Sequence, residues 1–574
     1  MKRSIKSWVG VCLAAAGMLA VAGCTGEVND TTTTQPVSTV TSKEELAAAY
    51  STKLVEDRSV YTEDGNEDIV TFYLTVSEHN LTADHPLSWS QFNSVRRVED
   101  NTEDNKLDVL LQQGTEEGTK SGMFGFGDTH ANGEITIRGK STLKGDQKSY
   151  KIKLFDDTGL WRNQKTINLV KHAFDSTRLR NKLSFDYFKM IPDFTSLRTQ
   201  FVHLYVKDLT AGSNAKYKDY GLYTQIEQPN KSFLRSHGLD PNGHLYKAVN
   251  FEFLRYGDAL KKKDDPEYNK QAFDMILETK GSDNHEKLLT MLDEINNYTL
   301  PFDEVFDKHF DRDNFLTWMA VNIIMDNYDT INQNFLLYSP LNSNKWFFMP
   351  WDYDGGWGDR DFNEVSAVRR ASWQRGIANY WGNVLQKRFF KNPDNVQQLT
   401  DKIEKLQTII TPEQTSKYIE SYWPTVERYI SRDPDLSFLP KDLNEIDDEI
   451  EQVKQLSVTA VEKFKKVLDN PMPFYLADIV QENGDTVFKW GESYDLEGED
   501  LTYRFQLAKN PNFTNPIMDE TLSGLTVTAE KLPAGMYYWK VVARDSNGNE
   551  TPAFDEYTDT DNTPHFGVRR INVD

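Results

Sequence analysis

An α+β fold followed by a small all-β module is predicted, and three observations carry the prediction. Residues 67–83 and 105–154 alternate apolar and polar positions between loops of Gly, Asn and Asp, the pattern of strands. From about residue 282 to 327, and again from 380 to 469, apolar residues recur at helical spacing. Beyond Asn470-Pro471-Met472-Pro473 the alternation returns in short runs. A chain of 574 residues, 38% hydrophobic, is long enough to bury a large core and to divide into domains.

The β-rich part contains one informative pair. Residues 134–155 (EITIRGKSTLKGDQKSYKIKLF) read as two strands around a polar turn, with Tyr150, Ile152 and Leu154 on one face of the second and Lys151 and Lys153 on the other. Arg138 leads the turn and Lys148 closes it. Cations on a strand face can hold polyphosphate, although a solvated face has the same pattern. Gly122 to Gly127 does not fit G-x-G-x-x-G and reads as a turn. Residues 176–190 suggest a helix, TSLRTQFVHLYVKD a strand, and KDYGLYTQIEQPNKSFL a strand passing through Glu227, whose apolar neighbours Leu222 and Ile226 imply burial and a cationic partner. Gly243 to Lys247 is a further short strand.

In NFLTWMAVNIIMDN, Phe315, Trp318, Met319, Asn322 and Ile323 approximate one face of a helix capped by Asp311 or Asp313. This helix delivers Asp326 and Asp329. Residues 380–469 read as helices punctuated near Pro393, Pro412, Pro434 and Pro440, forming a helical lobe. Residues 471–574 resemble a fibronectin type III-like β-sandwich, with Trp490, Tyr503 and Tyr538-Trp539 as core aromatics.

The N-terminus speaks to location. Lys2, Arg3 and Lys6 precede an apolar run, and Val21-Ala22-Gly23-Cys24 resembles a bacterial lipobox. Residues 1–23 are expected to be a signal peptide, Cys24 the lipidated residue, and residues 24–45, rich in Thr, a tether. A membrane-anchored lipoprotein of the bacterial cell envelope follows, facing outside the cytoplasm. Cys12 is the only other cysteine, so disulfides, cysteine metal clusters and cysteine catalysis are excluded from the processed body. A formal net charge of −23 argues against nucleic-acid partners.

The chemistry concentrates in Asp326 to Gly358 (DNYDTINQNFLLYSPLNSNKWFFMPWDYDGGWG). Asp329 is followed by Asn334, then a strand-like run, then Asp352-Tyr353-Asp354-Gly355. An acid, an amide five positions on, a strand and an acid near glycines is the order of a protein-kinase catalytic loop and metal-binding loop. The His-Arg that precedes the first acid in ordinary kinases is replaced here by Asn327-Tyr328.

Taken with Arg138-Gly139-Lys140-Ser141-Thr142, Lys148 to Leu154, GLYTQIEQ, LYK at 245–247, DTINQNFLLY and KWFFMPWDYDGGWG, this order resembles the CotH (spore-coat protein H) kinase family over roughly residues 66–440 of a domain spanning 46–469. The resemblance implies an atypical protein-kinase-like domain, β-rich then helical. It also implies a secreted kinase that moves the γ-phosphoryl of ATP to Ser/Thr of extracytoplasmic proteins with Mg²⁺ or Mn²⁺. Asp329 would be the catalytic base, Asn334 and Asp352 metal ligands, and Asp354 a further ligand or a partner of one. Arg138 and a lysine among Lys148, Lys151 and Lys153, paired with Glu227, would anchor phosphate. No Gly-rich nucleotide lid is visible. The competing reading is a CotH-like surface protein, weak or inactive as an enzyme, that binds a polysaccharide or protein ligand. A hydrolase using Asp329 and Asp352 as paired carboxylates has no supporting spacing.

Overall fold

The strands β1 (Val70–Val76), β2 (Lys106–Thr115), β3 (Gly118–Thr119), β4 (Gly133–Arg138), β5 (Ser149–Leu154), β6 (Thr166–Val170), β7 (Thr199–Asp208) and β8 (Lys218–Glu227) form one sheet. Its order is β1-β7-β8-β6-β5-β4-β2-β3. Because β1 also pairs with β2, seven of these strands close into a barrel, and the ring presents no free edge. The computed structural model describes residues 53–63, 69–358, 376, 377 and 380–573, so the expected signal peptide, tether and Cys24 lie outside the described residues.

Closure follows from alternation. Phe72 and Leu74 of β1, Val109 of β2, Ile135 of β4, Ile152 of β5, Ile167 of β6 and Leu204 of β7 are fully buried in one interior core. Each such side chain contributes about 1.5–3 kcal/mol by leaving water. A short helix, α1 (Trp89–Asn93), adds Trp89 and Phe92 to the same core, and its Asn93 Oδ1 accepts a hydrogen bond from Tyr150 at 2.7 Å. The predicted pairing of β4 with β5 is present, with Thr136 opposite Lys151 and Arg138 opposite Ser149 on the outward face. β7 and β8 are buried on both faces. Val202 and Tyr223 point inward, while Phe201, Leu222 and Ile226 join the larger core shared with the helices.

That larger core is built around a second sheet, ordered β10 (Leu277–Thr279), β9 (His244–Ala248), β11 (Phe335–Ser339) and β12 (Phe347–Pro350), all antiparallel. Helix α2 (Arg180–Met190) packs between barrel and lobe, and helix α3 (Arg312–Ile324) lies on β12. Asn314 both donates to the Phe348 carbonyl (3.1 Å) and accepts from its N–H (2.7 Å). The sequence implied a one-faced α3, but its residues from Asn314 to Ile324 are buried all round, because sheet, helices and C-terminal segments enclose it. Asp311 is its N-cap, accepting from the Asn314 N–H.

Helices α4 (Pro393–Leu406), α5 (Pro412–Ile430) and α6 (Leu443–Leu468) complete the lobe. Pro393 and Pro412 sit at the first helical position behind the caps Asn392 and Thr411, where a missing N–H costs nothing. Three further sheets follow, of three, five and two strands, and Phe488, Trp490, Tyr503, Phe505 and Trp539 form a core common to the first two. Tyr538 is a buried aromatic as well, but of a separate small cluster. The two-residue strand period turns it to the opposite face, where it packs on Tyr557 at 5.1 Å.

Candidate functional site

The β11–β12 hairpin assembles the site. Phe335 pairs with Pro350, so the residue entering β11, Asn334, and those leaving β12, Trp351 and Asp352, emerge at the same end. Just upstream, Asn327 caps the turn Tyr328–Thr330, its Oδ1 accepting from the Asp329 N–H at 3.1 Å. Asn334 then donates from Nδ2 to Asp329 Oδ2 at 2.7 Å, and Gln333 donates to Oδ1 at 3.0 Å. The carboxylate of Asp329 is thus held in one orientation, and the Asn334 carbonyl oxygen remains available as an acceptor. Gly355 lets the two loops abut, since a Cβ there would lie 2.9 Å from Asp329 Cβ. Asn334 (φ 56°) and Asp352 (φ 56°) both adopt the left-handed region, a conformation that Asn and Asp tolerate better than other side chains and that clusters at functional sites.

Helix α2 supports the second loop from behind. Asn181 Oδ1 accepts the Tyr353 N–H at 3.1 Å, Ser184 Oγ accepts the indole N–H of Trp357 at 2.9 Å, and the Tyr353 ring packs edge-on against Phe188 at 4.9 Å. With Tyr353 anchored in the core, Asp352 and Asp354 on either side of it are half-buried. Burial and the neighbouring Asp354 push the Asp352 carboxyl up to about 6, against the opposing pull of Arg138, Lys247 and His172.

Cations frame these acids. Arg138 from the barrel and Lys247 from β9 lie 5.6 and 5.1 Å from the Trp351 ring, and burial lowers both of their pKa values. His172 Nδ1 is 3.8 Å from Asp354 Oδ2. Arg138 Nη1 and both ring nitrogens of His172 are buried with no hydrogen-bond partner among the described residues. An unpartnered guanidinium nitrogen and an unpartnered imidazole beside two carboxylates fit a site for a cation and anionic oxygens. Among the described residues no three His, Cys, Asp or Glu side chains converge as a metal cage. Asp352, Asp354 and the Asn334 oxygen are instead a partial set of hard oxygen donors, suited to Mg²⁺, which fills its shell with water and phosphate oxygens.

The other expected cations divide. Lys151 projects outward from β5 in a charged group with Arg138, Glu278 and Lys280. Lys153 is on the same exposed face, opposite Glu134. Lys148 is elsewhere: its buried ammonium donates to the carbonyls of Leu143 and Gly145 inside its own turn, and burial lowers its pKa to about 8. It closes the β4–β5 connection rather than facing the cleft.

The expected pairing of Glu227 with a lysine from 148–153 is also replaced. Glu227 forms an ion pair with Arg198 and accepts from His237 Nε2 at 3.0 Å, and His237 Nδ1 contacts Glu56 at 2.9 Å. Burial alone would raise the Glu227 carboxyl, but His237 and Arg198 hold it down at about 2. The inference of burial with a cation was correct in kind; chain folding supplied different cations. Replacing Glu227 with Gln is expected to cost about 3 kcal/mol or more in urea unfolding, because Arg198 and His237 would stay buried without their counter-charge. Burial opposes protonation of His237, yet Glu227 overrides it and raises the pKa. Its contribution is therefore complete below the unfolded value of 6.5 and fades as pH rises through the folded one, a dependence that Glu227→Gln should flatten.

Sequence reasoning did not single out Lys247, His172 or Glu278. Lys247 lies within the noted LYK run, and its directly paired neighbours Glu278 on β10 and Leu336 on β11 become visible only in the sheet. His172 carries no pattern at all; its place is set by a left-handed backbone (φ 52°) beyond β6.

This site and its scaffold belong to a known class. The family model described as CotH kinase protein matches residues 135–457, and the chain belongs to that family. Among curated proteins, the inner spore coat protein H of Bacillus subtilis (strain 168) is 25% identical over 309 residues, 52% of this chain and 78% of the relative. Two solved structures share shorter stretches at 19% identity and a TM-score of 0.12: "Structure of FN3tt mut", covering 15% of this chain and 90% of that one, and chitinase ChiA74 from Bacillus thuringiensis, covering 17% and 16%. A score of that size defines no fold.

Proposed function

We propose that this chain is an atypical protein kinase that transfers the γ-phosphoryl group of ATP to Ser or Thr hydroxyls of proteins outside the cytoplasm. The observation that carries the reading is the convergence of Asp329, locked by Asn334, with Asp352 at the end of one hairpin beneath Arg138 and Lys247. Asp329 orients the acceptor hydroxyl and takes its proton as the oxygen attacks. Arg138 and Lys247, fixed against Trp351, neutralise polyphosphate oxygens, with Lys151 at the exposed margin. Asn334, Asp352 and Asp354 would hold Mg²⁺, which would supply positive charge against the negative charge developing on the leaving group.

The low rank of Lys148 and Glu227 in this scheme follows from their local partners. The lipid anchor on Cys24, the envelope location and the fibronectin-like character of the C-terminal sheets are part of the proposal. The Bacillus relative, named for the inner spore coat, supports a location outside the cytoplasm. Among the described residues no helix is long and apolar enough to cross a membrane.

A thermal-shift titration tests it. Mg-ATP at 100-fold above its Kd should stabilise the native chain by about 2.7 kcal/mol, and this shift should vanish in Asp352→Ala. No stabilisation of the native chain by Mg-ATP or Mn-ATP would remove the kinase reading in favour of a CotH scaffold used for adhesion or ligand binding.

A further inference from the structure

We propose that the C-terminal β-sheets brace the loop that carries Asp329, acting through Gly376, Ile377 and residues 380–383. The catalytic consequence rests on the kinase reading; the mechanical coupling does not.

The path is continuous. On the C-terminal side, Met472 and Pro473 lie so close to Gly376 that a Cβ there would meet Pro473 Cδ at 2.7 Å and the Met472 sulfur at 3.3 Å. The Tyr494 ring stacks on Trp381 at 6.2 Å, and the Met472 N–H donates to the Tyr494 carbonyl at 2.8 Å, so these contacts move as one. Lys391 reaches across to Glu492 at 2.6 Å. Ile377, Tyr380 and Trp381 are buried.

On the other side, the same short segment holds the catalytic loop by its backbone. The Tyr380 hydroxyl donates to the Asn327 carbonyl at 2.9 Å and contacts Thr330 Oγ1. Asn383 Nδ2 donates to the Ile331 carbonyl at 3.2 Å, while its Oδ1 accepts from the Leu385 N–H at 3.0 Å. The two carbonyls lie two residues before and two residues after Asp329. Bonds to both flanks fix the peptide planes that aim its carboxylate, a task that side-chain packing alone leaves loose. Tyr380 is thus a positioning residue, seated against Trp318 at 5.7 Å and held in place by the C-terminal sheets.

Hydrogen exchange read by mass spectrometry on the full chain tests this. In Tyr380→Phe and in Tyr494→Ala, a peptide spanning 327–334 should exchange roughly tenfold faster, while one spanning 150–154 in the barrel is unchanged. The double variant should be no faster than the faster single, because both act along one path. Glu492→Gln, which weakens the contact with Lys391 at the surface, should show a smaller change of the same kind, and it stands in if Tyr494→Ala fails to fold. Unchanged exchange at 327–334 in the C-terminal variants, or independent effects that multiply in the double, would overturn the brace. In the phosphorylation assay, Tyr380→Phe should lower kcat with KM for ATP unchanged, since Arg138 and Lys247 are untouched. Faster exchange in a chain whose native form neither binds Mg-ATP nor transfers phosphate supports the brace and counts only against the kinase reading.

Discussion

Asp352→Asn is expected to lower phosphoryl transfer on the order of a hundred- to a thousandfold and, at the same time, to stabilise the metal-free protein. Both effects come from the loss of one carboxylate. Burial and Asp354 hold the Asp352 carboxyl at about 6 instead of the ordinary 3.8. The folded state therefore binds more protons than the unfolded state between those two values, and stability falls as pH rises through that interval. The penalty above pH 6 is about 1–3 kcal/mol for the partly exposed carboxylate. Asparagine removes it, so the metal-free variant should melt higher than the native chain at pH 7.5 and no higher at pH 4. Mg²⁺ reverses the order, because the native pair of carboxylates gains a counter-charge that the variant holds poorly. On the proposed kinase reading, transfer would fall because the variant would hold the metal ion poorly, a loss comparable to removing one preorganised transition-state contact. Melting curves with and without Mg-ATP, beside kcat, check all of this; a variant that melts no higher than native without metal at pH 7.5 would contradict the assigned environment.

The largest loss of stability should come from Arg180→Ala. Arg180 is fully buried at the start of α2 and forms ion pairs with Asp175, in the loop before it, and Glu449 of α6, which Lys441 also contacts at 2.7 Å. Burial alone would raise the Asp175 carboxyl, but Arg180 prevails and keeps it below its ordinary value. Removing the guanidinium leaves Asp175 with the Thr177 hydrogen bonds and the charge of Arg178, and Glu449 with Lys441 alone, at a cost of about 3–5 kcal/mol. Urea unfolding at pH 7 measures it, with a sizeable part of the loss expected to disappear in Arg180→Ala with Asp175→Asn. Because α2 also seats Tyr353 and Trp357, the variant should weaken Mg-ATP binding at temperatures where it is still folded. A cost below 1 kcal/mol would mean that the network contributes no net stability.

Much of the site was legible because its chemistry is local. Asp329 and Asn334 are five residues apart and touch directly, and Asp352 follows the strand that pairs with the one Asn334 opens. Strand alternation put Lys151 and Lys153 on the face of β5 opposite Tyr150, Ile152 and Leu154, where they are found. The partners of Glu227 were not legible, because Arg198 and His237 reach it through pairing and loop return rather than spacing. Lys148 misled because it closes the turn beside two cationic strand positions, while its ammonium found carbonyl acceptors within that turn. Barrel closure also lay beyond local reading. The β1–β2 contact that completes the ring joins strands whose residues, such as Thr71 and Gly114, show their own alternation but not their pairing.

The sequence by itself determined which residues alternate, the helix boundaries near Pro393 and Pro412, and the order of acid, amide, strand and acid that marks the family. These depend on backbone periodicity and on hydrogen bonds between near neighbours, which act within a few residues. Tertiary structure alone decided which cations face Asp352, what neutralises Glu227 and what holds the loop around Asp329 in place. Those outcomes depend on charges and carbonyls brought together across long separations, where the penalty for leaving a buried group unpaired selects the partner.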